Sequence, residues 1–491
     1  MTATATATAT VFEEHSSVLP HWAARGVERA TVVYLDAHLD LQFVDAQRIA
    51  QLRQCGGRAS ELPAFEAVHP FGSMERACFG IEDFLYPAAQ LGLLKRVVWV
   101  APPHVMRAGL GAALGKLVQM EGVTIDDLES FNVQAHGSIQ GRLLGLELTI
   151  CSLECLDRMA LPEQWLLDID VDYFIALPES RLGMDPRDAM ARLRALPGAP
   201  RHATISRSVS TGFTPLRYRF LGDLLALLWA GQRTATSPIE RVLQADQLLT
   251  AGDRQACRAL CADLVAEQPG LAAAWYLAAL AADPASAAGS LFTAAAQADP
   301  AYCEDVPLEI ANAHSRKLSI DLATLERWYR VLSQGSGLAP ERAGPAWVML
   351  GLVYCSAAMI VQACAADECA VHVGHGHPEL ALEIANGSIA LRDARSARRY
   401  LPRALAHGSS RARACLLAAR ADELEADLAG ACAWLLEAAK ALPANPTLFQ
   451  MLSRLHRAMG NAEGATAAAR HAHALAGRLE RVAHRLAANA P

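Results

Sequence analysis

The chain changes its pattern of hydrophobic and polar positions partway along. Up to about residue 235, short β-rich runs ("ATVVYLDA", "RVVWVAPP", "LELTICSL", "QWLLDIDV", "HATISRS") alternate with amphipathic helical stretches, and this alternation predicts a parallel α/β sheet. After "GQRTATSPIE" the strand signals stop, and Ala, Leu and Arg recur at helical periodicity. The expected division is a flexible low-complexity leader at residues 1–10, an α/β domain at 11–235 and an all-α domain at 236–491, with the boundary near Thr234 to Pro238.

The helical half carries a register. Turn signals at Arg392/Asp393, Ala426/Asp427 and Gly460/Asn461 recur every 34 residues. Ala397, Ala431 and Ala465 follow each turn by five positions, and Ala404, Ala438 and Ala472 by twelve, where a second helix must let its neighbour approach closely. The segment from about 380 to 475 therefore resembles tetratricopeptide repeats. A weaker pair, with turns at Gly252/Asp253 and Asp283/Pro284, precedes it, while residues 301–378 read as helical but out of register.

Composition narrows the class. At 491 residues, with 52% hydrophobic and 19% charged, the chain has material for two or three ordinary cores. A net charge of -7 with scattered Lys and Arg argues against nucleic acid or an anionic membrane as partner. The twelve irregularly spaced cysteines read as reduced thiols, and "MTATATATAT" lacks the features of a signal peptide, so a cytoplasmic address is expected. From Ala343 to Ala366 there is no charge over a span long enough to cross a bilayer. Ser356, Gln362 and Ala-rich flanks favour a buried core helix there.

Chemistry enters with "YLDAHLDLQ", which places Asp36, His38 and Asp40 at every second position after an apolar run. Side chains at that spacing share one strand face, but an extended strand sets the first and last Cα atoms about 13 Å apart. Two metals of one centre stand about 3.5–4 Å apart, so to serve one metal pair the motif must leave the sheet. That locates a site at the carboxyl end of the strand. "LLDIDVDYF" repeats the device with Asp168, Asp170 and Asp172, whose mutual repulsion and desolvation call for cations or donors. In "VFEEHSSVLPHW", His15 falls at a strand-to-helix turn.

This set resembles the metal signature of the arginase and deacetylase superfamily. "DAHLD" looks like its Asp-Ala-His-x-Asp motif and "DIDVD" like its Asp-x-Asp strand. The resemblance implies metal ligands at His15, Asp36, His38, Asp40, Asp170 and Asp172, a bridging and hydroxide-orienting role for Asp40, and a supporting role behind the ligands for Asp168. Phe12-Glu13-Glu14 stand where arginases have Gly-Gly-Asp before the histidine. Across residues 11 to about 220 the chain looks most like the peptide arginase branch, which converts Arg side chains of ribosomally made peptides to ornithine and urea. The implied fold is a three-layer parallel-sheet catalytic domain followed by tetratricopeptide-like repeats. A carboxylate-rich His2Asp4 set without thiolates suits two divalent ions, Mn(II) first and Fe(II) or Co(II) after it.

Such chemistry needs a proton carrier and a guanidinium partner. His69 in "AVHPFGS" is the candidate proton carrier, with His21 behind it. Glu82 in "GIEDF" is a candidate carboxylate for the substrate, although it also reads as part of a helix start beside Asp83. Ser206, Arg207 and Thr211 of "SRSVSTGFTP" are placed to line a pocket. Cys364, Cys369, His372, His375 and His377 are dense enough to suggest zinc, but their spacing fits no finger and a polar loop is expected. The expected partner is an arginine-containing peptide recruited by the repeats, which are also a route to self-association. A small guanidino or acyl-amine substrate, and a non-catalytic repeat scaffold, are the other readings.

Overall fold

The computed structural model describes residues 8–55, 59–67, 69–72, 76–107, 115–176, 180–231, 237–283, 288–335, 338–375, 377–406 and 410–488. Most of the expected leader, the boundary residues 234–236 and Pro284 lie outside them. The described strands are β1 (Ala9–Phe12), β2 (Ala30–Leu35), β3 (Leu94–Val100), β4 (Asn132–Val133), β5 (Ile139–Leu143), β6 (Leu146–Cys151), β7 (Gln164–Asp170), β8 (Ile175–Ala176), β9 (Arg181–Leu182) and β10 (Ala199–Ser206). Eight of them form a mostly parallel sheet in the order β1-β10-β7-β2-β3-β6-β5-β4. β10 runs parallel to both β1 and β7, β3 is parallel to β6, and β5 is antiparallel to β4 and β6. The five sequence runs named above all appear as strands. The β4–β5 hairpin and the small antiparallel β8–β9 pair do not stand out in the pattern, because each is short and flanked by polar residues.

Two compact units are resolved by contact, one built from residues 1–15, 35–37 and 161–319, the other from 16–34, 38–160 and 320–491. In the first, β7 is buried along all but its first residue, as a central parallel strand must be. Helices beyond residue 237 belong to the same packing. Arg217 Nε donates to the buried Asp246 at 2.9 Å, Ser315 Oγ donates to the Thr211 carbonyl at 2.7 Å, and Gly212 (φ +81°) meets the Ala311 backbone so closely that any Cβ would collide.

In the second unit the repeat register is visible as geometry. Arg392, Ala426 and Gly460 take left-handed φ values of 61°, 65° and 74°. The next residue closes each turn through its backbone N–H, to the carbonyls of Ser388, Asp422 and His456 respectively. It also caps the following helix, Asp393 accepting from Ser396 N, Asp427 from Gly430 N and Asn461 from Gly464 N at 2.8–2.9 Å. The six alanines singled out in sequence are all buried. Three helix pairs result: Pro378–Ala390 with Ala394–Ala406, Arg411–Leu424 with Leu428–Ala441, and Pro446–Ala458 with Ala462–Ala488. Ala431 is fully buried in the second pair, so Ala431→Leu is expected to destabilise the protein by about 1–3 kcal/mol through overpacking. A urea melt measures this, and an unchanged midpoint contradicts the assigned register.

The same unit ties these helices to the strand-bearing segment. Gly122 N–H donates to the Ala441 carbonyl at 2.8 Å, Ala412 N–H to Glu121 at 2.6 Å, and Arg485 to the Glu129 and Phe131 carbonyls at 2.6 and 3.1 Å. The uncharged stretch 343–366 is two helices rather than the one expected, Pro340–Ser356 and Ile360–His372, broken where Ala358 adopts φ 58°. Among the described residues no helix is long and apolar enough to cross a membrane. Among the described residues no cysteine is in a disulfide.

Candidate metal centre

Local sequence explains how three segments deliver acids and an imidazole to one place. β2 ends at Leu35, so the whole of Asp36–Asp40 lies beyond the strand, and Asp36 is the first residue off it. β7 carries Asp168 and Asp170 at a spacing of two, on one face. Asp172 does not continue that face: it sits in the 3-10 turn Val171–Phe174, donating its N–H to Asp170 Oδ1 at 3.1 Å. β1 stops at Phe12, and pairing with the β10 segment carries on through Arg207 N–H to the Phe12 carbonyl (3.1 Å) and Ser208 N–H to the Glu13 carbonyl (2.8 Å). His15 then opens a short 3-10 turn.

The His15 ring is enclosed by carboxylates. Its Nδ1 lies 3.1 Å from Asp36 Oδ2 and 3.2 Å from Asp170 Oδ2, and its Nε2 lies 2.9 Å from Asp168 Oδ2. Asp172 Oδ1 accepts the Ala37 N–H at 3.2 Å and offers an oxygen within 4.8 Å of Asp36. His15 and Asp168 are 0% exposed, Asp36 1%, Asp170 3% and Asp172 5%. Three buried carboxylates around one imidazole, with Asp172 beside Asp36, leave an excess of negative charge even when the ring is protonated, and burial makes that excess costly. A hard divalent cation removes the excess with oxygen and nitrogen ligands of the kind present. Burial opposes charge on His15, yet Asp168, Asp170 and Asp36 outweigh it and hold the imidazole pKa well above 6.5. A cation arriving at Nδ1 would displace that proton.

A row of hydroxyls backs the acids. Thr204 faces Asp168 across the β10–β7 register and donates to its Oδ1 at 2.5 Å. Ser208 donates to Asp170 Oδ2 at 2.6 Å. Ser210 donates to Oε1 of Glu14, which is 2% exposed and whose Oε2 has no hydrogen-bond partner among the described residues. Burial pushes the Glu14 carboxyl up to about 8, with the Ser210 hydroxyl pulling the other way. None of these four was singled out in sequence. The signal was there in the hydroxyls at 204, 206, 208 and 210, which recur at a period of two opposite an acidic strand.

Asp40 is buried and accepts the Tyr34 hydroxyl at 2.9 Å, while His38 is exposed. His69 is half-buried, its Nδ1 accepting the Phe71 N–H at 3.1 Å, and His21 lies on the helix Val18–Ala24. Glu82 is exposed and accepts from Gln42 at 3.3 Å, whereas Asp83 caps the Gly80 N–H at 2.7 Å. Ser206 is the last residue of β10, Arg207 pairs with Asp223 at 2.6 Å, and Thr211 is fully buried, donating to the Ser208 carbonyl. The Cys and His run is not a loop as expected: Cys364, Cys369 and His372 lie on the helix Ile360–His372. His375 Nε2 lies 2.6 Å from the Phe71 carbonyl, and His377 caps Glu379 N. Among the described residues no cation-sized group includes any of the five.

No protein-family model matches the chain, nor does any curated protein sequence. Three similar solved structures are tetratricopeptide-like repeat proteins. They are PilF of Pseudomonas aeruginosa (TM-score 0.26, 20% identity, 42% of this chain and 92% of that one), the Cut9–Hcn1 hetero-tetramer of the APC/C (0.28, 14%, 57% and 53%) and PilW, a type IV pilus biogenesis factor (0.21, 14%, 51% and 99%). The 34-residue turns of the chain itself define its repeats.

Proposed function

We propose that the chain is a binuclear-metal hydrolase of the arginase and deacetylase type, with that superfamily's three-layer arrangement, converting peptidyl arginine to ornithine with release of urea. The observation that carries this reading is the enclosure of the His15 ring by Asp36, Asp168 and Asp170 at 2.9–3.2 Å. Asp40 and His38, the further ligands that the sequence resemblance implies, are proposed to complete the donor set. Two divalent cations, Mn(II) by donor chemistry, would supply Lewis acidity and lower the pKa of a water toward neutrality.

The side chains divide the remaining work. His15 Nδ1 with Asp36, Asp170 and Asp172 holds the cations; Asp168 fixes the ring through Nε2, as a carboxylate behind a ligating histidine does. Asp40, one oxygen of which already accepts from Tyr34, orients the attacking water. Collapse of the tetrahedral adduct breaks the bond between the guanidine carbon and the side-chain nitrogen, and that nitrogen takes a proton. His69 is the proposed donor. Glu82, Ser206, Arg207 and Thr211 are the proposed substrate contacts, and the helical repeats the element that recruits the peptide.

The test is incubation of Mn(II)-loaded protein with an arginine-rich precursor peptide, following urea and the Arg-to-Orn mass change. Urea from the peptide exceeding that from free arginine and agmatine is expected. Faster turnover of the free guanidines contradicts the peptide assignment, and no urea at full metal occupancy contradicts the hydrolase.

A further inference from the structure

The β10 segment does more than close one side of the sheet. We propose that Ser208 is a positioning residue for the cation site, its hydroxyl fixing how Asp170 presents an oxygen beside His15; the inference rests on the metal reading above. Asp170 Oδ1 is taken by the Asp172 N–H at 3.1 Å, and Oδ2 receives Ser208 Oγ at 2.6 Å while standing 3.2 Å from His15 Nδ1. A carboxylate oxygen has two lone pairs. Ser208 fills one of those on Oδ2, so the carboxylate cannot rotate without losing both donors, and the other pair stays on the His15 side. Thr204 treats Asp168 likewise, donating to Oδ1 while Oδ2 meets the far side of the same ring.

The backbone points independently to Ser208. It is 0% exposed and sits at φ 50°, a left-handed conformation that glycine adopts freely and serine does not. Three further hydrogen bonds hold it there: its N–H to the Glu13 carbonyl (2.8 Å), and its own carbonyl to Thr214 N–H (3.0 Å) and Thr211 Oγ1 (3.3 Å). A side chain kept where glycine would fit with less strain is explained by what that side chain does, and here its one donor goes to Asp170. Ser206 is the residue in register with Asp170, yet its buried Oγ has no partner among the described residues. The turn, rather than the strand, aims the hydroxyl.

This separates positioning from folding in one variant. Ser208→Gly suits the left-handed backbone and removes the hydroxymethyl group. Metal-stripped protein titrated with Mn(II) alone is expected to show a Tm equal to or above wild type, together with about 10–100-fold weaker binding of one Mn(II). Ser208→Ala is expected to show the same loss of affinity at a lower Tm. Ser208→Gly binding both ions as tightly as wild type overturns the inference and leaves the metal reading standing, as does a metal-stripped Tm well below wild type, which would make Ser208 a structural residue. Wild-type protein that takes up no Mn(II) overturns both.

Discussion

Asp170→Asn is expected to lower peptide-dependent urea release at least about a thousandfold while leaving the far-ultraviolet circular dichroism unchanged. The magnitude follows from what one carboxylate does in a preorganised site, where removing a single charge-stabilising group costs about 10²–10³ in kcat and metal loss adds to it. Asp170 faces His15 Nδ1, accepts from Ser208 and Asp172, and is 3% exposed. Asn preserves its shape but removes the charge that draws a cation. Retention of urea release within tenfold of wild type would remove Asp170 from the site.

Cutting the chain after residue 235 is expected to give no cooperatively folded protein, and this is the second large effect. Both compact units draw residues from either side of that position. In one, Asp246 is 1% exposed and holds Arg217, and the Ala311 backbone packs on Gly212. In the other, Gly122 N–H donates to the Ala441 carbonyl and Ala412 N–H to the Glu121 carboxylate, while Arg485 covers the Phe131 carbonyl. Truncation would strip partners from buried polar groups and expose the apolar faces beneath them, each loss costing about 1–3 kcal/mol against a total stability of about 5–15 kcal/mol. Near-ultraviolet circular dichroism and a urea melt of residues 1–235 decide it: a cooperative transition would show that the strand-bearing part stands alone.

The acids could be read from the sequence because they violate the pattern around them. Asp168 and Asp170 interrupt an apolar strand at the period that puts both on one face, and Asp36 follows a run of five buried residues. His15 was findable from the switch between strand and helix signals. The turns at 392, 426 and 460 were findable from spacing, although nothing in Arg392 or Ala426 announces a left-handed backbone. What could not be read depends on partners distant in sequence. His375 and His377, expected in a polar loop, instead meet the Phe71 carbonyl and the Glu379 N–H, 304 and 2 residues away in the chain. The burial of Glu14 was not legible, and its hydroxyl donor Ser210 lies 196 residues away in the chain.

If the carboxylates around His15 exist to hold cations, the metal content of the protein must depend on them. Equilibrium dialysis of the metal-stripped protein against Mn(II), read by elemental analysis, tests it most directly when the Asp36→Ala, Asp170→Ala double variant is run beside wild type. Two tightly held equivalents are expected in wild type and a loss of tight binding in the variant, with both chains folded. Equal metal content in the two would contradict this dependence.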